Sequence, residues 1–271
     1  MIPSSSSSLF QSHNVTIVGT GEQHVVLGHG FGSDQTAWKY VMPYLVNDYK
    51  VILYDLMGAG STNPEDFSFN RYSSLHGYAD DLLTILDELE IESCIYIGHS
   101  VSGMIGMLAS IERPEVFKKL VLLGSSPRYL NDESYYGGFE QKDLEQIYGD
   151  MKSNFRSWVT GFATRMSGAD LQSRSVQEFC QTFYTIRPDI ALSVVKTIFQ
   201  SDFRSILPLV TVPCHLLQTM KDMAVPLDAA QYMQQNLRAW TTMEVLNTEG
   251  HLPHLSDPAV VIPAILRCLT S

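Results

Sequence analysis

The stretch Cys94-Ile95-Tyr96-Ile97-Gly98-His99-Ser100-Val101-Ser102-Gly103 decides the architecture. Its apolar start reads as a short buried strand, and the small residues after it read as a tight turn with a serine at the apex. A serine held at such a turn sits in a strained backbone conformation, so the residues two before and two after it must be small. Gly98 meets that need. Ser102 departs from the stricter G-x-S-x-G spacing but is also small, and Gly103 follows it. The competing reading is a plain strand-to-helix turn in which Ser100 caps a helix. Partners elsewhere in the chain decide between the two.

Working outward, further apolar, β-branched runs stand at residues 15–18, 24–27, 50–54, 120–123, 215–217 and 243–246. Several are apolar throughout rather than alternating, as expected of strands covered on both faces by helices. Leu75, Ala79, Leu82, Leu86 and Leu89 recur at helical steps with Ser73 or Ser74 as the cap, and a second helix is predicted over 101–110. Alternation of strand and helix predicts a mostly parallel, doubly wound sheet with right-handed crossovers.

The alternation fails between about Pro127 and Leu207. That stretch shows no strand pattern but carries Tyr129, Phe139, Trp158, Phe162, Phe179, Phe183 and Phe199 among its aromatics. It reads as a helical insertion that buries these rings against the serine-bearing end of the sheet, leaving an apolar pocket beneath a lid. The expected organisation is a disordered serine-rich tail over 1–12, a core over 13–127 and 208–271, and a helical lid over 128–207.

A serine hydroxyl at neutral pH needs a base within hydrogen-bond reach, itself oriented by an acid. Asp222 follows the run His215 to Gln218, and His251 follows the run Met243 to Leu246, so both fall just past late strands in the order Ser, Asp, His. The rivals are weaker. His254 shares a helix beginning near Pro253, His99 points away through the turn, Asp202 belongs to the insertion, and Asp257 precedes the helix at Pro258. The oxyanion of a tetrahedral intermediate needs two backbone donors. Val101 N–H at a helix start and Phe31 N–H in Gly28-His29-Gly30-Phe31-Gly32 supply them. Losing one such donor costs about 3 kcal/mol. The glycine loop lacks both G-x-G-x-x-G and the lysine of a phosphate loop. Together these features give an α/β-hydrolase fold with a Ser100-His251-Asp222 triad and no need for a cofactor or metal. Relatives that use an aspartate nucleophile are disfavoured by the serine at the elbow.

The 271 residues suit one large domain with an insertion, and a net charge of -11 disfavours nucleic acid and anionic membranes as partners. Four widely spaced cysteines without C-x-x-C pairing indicate a reducing compartment. No apolar run is long enough for a membrane span. The start of the chain lacks a signal-peptide pattern, so cytoplasm and nucleus are the expected locations.

Longer blocks carry a family resemblance. Residues 28–35 (Gly-His-Gly-Phe-Gly-Ser-Asp-Gln), 54–60 (Tyr-Asp-Leu-Met-Gly-Ala-Gly), 126–132 (Ser-Pro-Arg-Tyr-Leu-Asn-Asp) and 187–193 (Arg-Pro-Asp-Ile-Ala-Leu-Ser) are among them. With the serine turn, Tyr136 to Glu140 and Glu249-Gly250-His251-Leu252-Pro253, they resemble the plant karrikin and strigolactone receptor family over about residues 13–267. Tyr129 is more similar to the karrikin-receptor branch than to the strigolactone branch, which tends to carry Phe there.

The resemblance implies a lid of four helices and the same triad. It also implies a butenolide ligand in a pocket walled by Phe31, Tyr129, Phe139, Trp158, Phe162, Phe179, Ile198, Phe199 and Ala224. It further implies slow hydrolysis and signalling to an F-box protein and a repressor; a monomer is expected before signalling. An ordinary small-ester carboxylesterase is the alternative. The chain departs from the family pattern at Leu56, often Asn, and at Gly103, usually Ala. Met223 stands where Leu is frequent, and Thr164-Arg165-Met166-Ser167 replaces a Pro-Leu-Ala-Val type segment. Arg165 is expected to face solvent.

Overall fold

A computed structural model describes residues 9–270; the Ser4 to Ser8 run of the expected tail lies outside the described residues. The strands are β1 (Thr16–Val18), β2 (Gln23–Gly28), β3 (Tyr49–Leu53), β4 (Cys94–His99), β5 (Phe117–Leu123), β6 (Cys214–Lys221) and β7 (Thr241–Glu249). They form one sheet in the order β1-β3-β2-β4-β5-β6-β7, with β1 antiparallel to β3 and the other pairings parallel. The inner strands are apolar throughout because alternate residues serve different cores. Val25 and Leu27 pack on one face with Trp38, Leu45 and Ile265, while Val26 packs on the other with Leu82 and Ile105.

The helices are α1 (Leu9–Ser12), α2 (Leu75–Glu88), α3 (Val101–Glu112), α4 (Gln141–Ser153), α5 (Phe155–Ser167), α6 (Arg174–Thr185), α7 (Pro188–Phe199), α8 (Leu227–Asn236), α9 (Pro253–Ser256) and α10 (Pro258–Thr270). Ser74 caps α2, its side chain accepting from His76 N. α2 and α3 cover one face of the sheet and α10 the other. Leu9 to Ser12, assigned to the tail by sequence, form a helical turn instead. The N–H groups of Leu9 and Phe10 donate to the Glu88 carboxylate at 3.0 and 2.9 Å, which satisfies donors that a free tail would leave to water.

Between β5 and β6 lie the four helices α4 to α7, with only isolated bridges such as Arg128–Asp202 around them. α4 packs on α7, and α5 on α6. The two ends of this insertion are joined by ion pairs, Arg128 with Asp202 at 2.6 Å and Arg204 with Asp132 and Asp202 at 2.7 Å each. Asp202 is therefore engaged in a lid clasp far in role from the serine turn.

The order of the strands fixes where a site can form. The chain departs from the centre of the sheet in opposite directions on either side of β2 and β4, so the loops leaving these two neighbours open a crevice at their carboxyl ends. Those loops carry Phe31 and Ser100.

Candidate active site

β4 ends at His99 and α3 begins at Val101, which leaves Ser100 alone at the corner with φ 55° and ψ -123°. For a residue with a Cβ this conformation costs about 1–3 kcal/mol, and the surroundings must impose it. Ser100 N–H donates to Leu123 O at 2.8 Å, and Gly103 N–H returns to Ser100 O at 2.9 Å. A methyl group on Gly98 would lie 2.6 Å from the Ser102 carbonyl carbon, so the turn closes only over glycine. Ser102, the departure from the usual spacing, uses its hydroxyl to donate to His29 O at 2.5 Å. It thereby ties the elbow to the loop after β2. Gly103 is likewise explained, because a side chain there would collide with Ser125.

The candidate base and acid arrive from β7 and β6. His251 Nε2 lies 2.7 Å from Ser100 Oγ, and its Nδ1 lies 2.7 Å from Asp222 Oδ2. A carboxylate only accepts, so Nδ1 carries the proton and Nε2 presents its lone pair to the serine hydroxyl. The Asp222 carboxylate is nearly fully buried, although the residue as a whole is half-buried. Its Oδ1 accepts from Ala224 N at 2.8 Å and Val225 N at 3.0 Å, while Oδ2 also receives Gln218 Nε2 at 3.3 Å. Four donors thus hold the carboxylate still.

The two candidate oxyanion donors, Val101 and Phe31 N–H, are positioned by backbone geometry. Val101 is the first residue of α3, so its N–H has no acceptor within the helix and lies where the dipole is positive. Phe31 N–H and Gly30 C=O are opposite ends of one planar peptide unit. Gly30 O accepts from His29 Nδ1 at 2.9 Å, Ser33 Oγ at 2.9 Å and Ser33 N at 3.3 Å, so the far end of the unit is aimed as well. His29 Nε2 accepts from Leu56 N at 2.9 Å, which requires a neutral ring; burial lowers its proton affinity, opposed by Asp55.

His254 does not reach Ser100. It lies buried between Trp38 and His99, at ring separations of 4.9 and 4.4 Å, and burial followed by nearby His251 pushes it down to about 3. Asp257 stands between α9 and α10, its carbonyl accepting from Val260 N–H at 3.1 Å, and the carboxylate on His251 Nδ1 is that of Asp222. Among the described residues, then, Ser100, His251 and Asp222 are the ones brought together.

The cavity over Ser100 and His251 is walled by Phe31, Tyr129, Phe162, Phe179, Ile198, Phe199 and Ala224. Two expected wall residues stand one layer back. Trp158 stacks on Phe162 at 4.8 Å, and Phe139 packs on Phe199 at 5.1 Å. In their place the wall includes Met166 and Leu252. Helical spacing from Phe162 gives Met166 the same face of α5, which is the signal that could have found it. Arg165 is exposed on the outer side, and Met223 is exposed beside the acid. The cavity measures about 20 Å³, enough for about one water. Phe31 and Ile198 separate it from a second cavity of about 20 Å³, which Leu56 and Tyr78 help to line.

The lid touches the base directly. Met166 O, at the end of α5, accepts His251 N–H at 2.5 Å, and Gly250, at φ 89°, lets the two segments approach because any side chain there would strike Ser167 O.

A family profile described as the alpha/beta hydrolase fold matches residues 23–258. The chain is 58% identical over 257 residues to a karrikin insensitive 2 receptor of Petunia hybrida, covering 95% of each. It is 50% identical to a strigolactone esterase of Arabidopsis thaliana, covering 98% of this chain and 99% of that one. A hydrolase from Oleispira antarctica superimposes with a TM-score of 0.93 at 34% identity, over 97% of this chain and 96% of that one.

Proposed function

Because the chain belongs to the α/β hydrolases, within the group of the plant karrikin and strigolactone receptors, we propose that it is a butenolide receptor with slow serine-hydrolase activity. Ester and lactone bonds are its substrates. The observation that carries the reading is the hydrogen-bonded line from Ser100 Oγ through His251 to Asp222 at the floor of an apolar, lid-covered cavity.

Ser100 Oγ attacks the ligand carbonyl carbon as its proton passes to His251 Nε2. The carbonyl oxygen takes the negative charge and is met by Phe31 and Val101 N–H. The tetrahedral intermediate collapses with cleavage of the bond to the leaving oxygen, which takes the proton from His251. Water then attacks the acyl-serine by the same route in reverse and restores Ser100.

A signalling role, through an F-box protein and a repressor, is supported by the bond between Met166 O and His251 N–H, because a ligand that displaces the lid also displaces the base. Four free, buried cysteines suit action in the cytoplasm and nucleus. The test pairs turnover of a fluorogenic butenolide with capture of a candidate F-box protein. Turnover below about 1 s⁻¹ and butenolide-dependent capture are expected. Turnover near 100 s⁻¹, roughly, with no capture would instead make it an ordinary carboxylesterase.

A butenolide needs more room than a cavity for about one water offers, and Met166 is a flexible wall. Met166→Ala leaves the main-chain bond to His251 in place and opens the wall. It is expected to raise kcat/KM for bulky esters relative to acetate esters while lowering stability by about 2–4 kcal/mol. An unchanged ratio across a graded ester series would remove Met166 from the ligand wall.

A further inference from the structure

The residue just before the nucleophile is a fully buried imidazole that the chemistry above does not use. His99 Nε2 lies 2.7 Å from His251 O, across 152 positions of sequence. A carbonyl only accepts, so Nε2 carries the proton and Nδ1 is bare. Nδ1 has no partner among the described residues and packs against Gly30, where an added methyl would come within 2.5 Å of it. The ring therefore touches the base loop and the oxyanion loop while its own backbone leads into Ser100. Burial, reinforced by His254 and His251, drives its proton affinity well below that of an ordinary histidine, so it stays neutral beside a base that becomes cationic during the reaction.

We propose that His99 is a positioning residue that fixes the main chain of His251, and with it the line of approach of Nε2 to Ser100 Oγ. Both polar groups of that main chain are held, N–H by Met166 O from the lid and C=O by His99 from the elbow strand. Loss of the second leaves the polar groups of the His251 main chain held by the lid alone, with Asp222 still holding the ring at Nδ1. Space filling does not call for an imidazole here: leucine would occupy the same place without the orphaned nitrogen.

The inference rests on the triad reading, and the experiment separates the two. Steady-state hydrolysis of p-nitrophenyl acetate and of a fluorogenic butenolide is measured for wild type, His99→Leu, His99→Gln and Ser100→Ala, with thermal melts alongside. Glutamine places an N–H at nearly the reach of Nε2, and leucine has none. His99→Leu is expected to lose about 10- to 100-fold in kcat with KM nearly unchanged, and His99→Gln to stay within about threefold of wild type. His99→Met, unbranched and without a donor, replaces the leucine variant if that does not fold, and is expected to lose the same factor. Equal kcat for the donor and non-donor variants would overturn the proposal and leave His99 a space filler. Activity retained in Ser100→Ala would overturn the triad reading itself.

Discussion

Ser100→Ala is expected to take hydrolysis of both simple esters and butenolides to background, a loss of at least about 10³-fold, with no acyl adduct detectable by mass spectrometry. The substitution removes one atom from the elbow. The strained φ of 55° is imposed by the bond from Ser100 N–H to Leu123 O and by the close packing of Gly98 on Ser102, neither of which uses the hydroxyl. The hydroxyl's own bond to His251 contributes about 1 kcal/mol, so the melting temperature should fall by only a few degrees, roughly. Ligand binding should survive, because the cavity wall is apolar and remains intact. The variant therefore separates perception from hydrolysis: butenolide-dependent F-box capture by inactive protein would place signalling in the lid, and its loss would place it in the acyl-enzyme. Hydrolysis that persists would mean another nucleophile operates.

The elbow was readable in sequence because strain leaves so few residue types that fit. Gly98 can be nothing larger, and a serine at its apex is informative once an Asp and a His follow late strands in the right order. The candidate oxyanion loop is legible for a related reason, since glycines mark where a backbone must come close. The pocket wall was readable in kind but not in detail. An aromatic stripe says that rings are buried, whereas the phase at which α5 docks decides that Met166 faces the cavity and Trp158 stands behind Phe162. Phe139 lies outside any helix, and its bridge to Leu130, which no helical period foretells, sets it behind Phe199. His99 was placed correctly away from the serine, but what it meets there depends on the loop after β7, which no local pattern specifies. The turn at Leu9 to Ser12 was hidden because it is held by a distant carboxylate, Glu88, rather than by its own propensity.

Asp222→Asn is expected to lower kcat by about 10³- to 10⁴-fold while ligand affinity stays nearly constant. The amide offers one acceptor and one donor group where the carboxylate offered two acceptors. Ala224 and Val225 N–H both point at Oδ1, so placing the NH₂ there would leave two buried backbone donors facing a third, at a cost of about 1–3 kcal/mol for each donor left unpaired. The oxygen therefore stays at Oδ1 and the NH₂ takes the Oδ2 position, against His251 Nδ1. A donor there obliges Nδ1 to accept, which moves the histidine proton to Nε2. That proton now faces Ser100 Oγ, and the ring can no longer receive the hydroxyl proton. Gln218 Nε2, which donates to Oδ2, is pushed against the new NH₂ and turned wholly to Val225 O, where it already lies at 3.0 Å. The predicted signature is a loss confined to the chemical steps, acylation and deacylation alike, because both use the same base: stopped-flow acyl-enzyme formation slows by the full factor, while titration with a non-hydrolysable butenolide gives nearly the wild-type Kd. Acylation at more than about a tenth of the wild-type rate would show that Asp222 does not set the histidine tautomer, and the acid would have to be sought elsewhere.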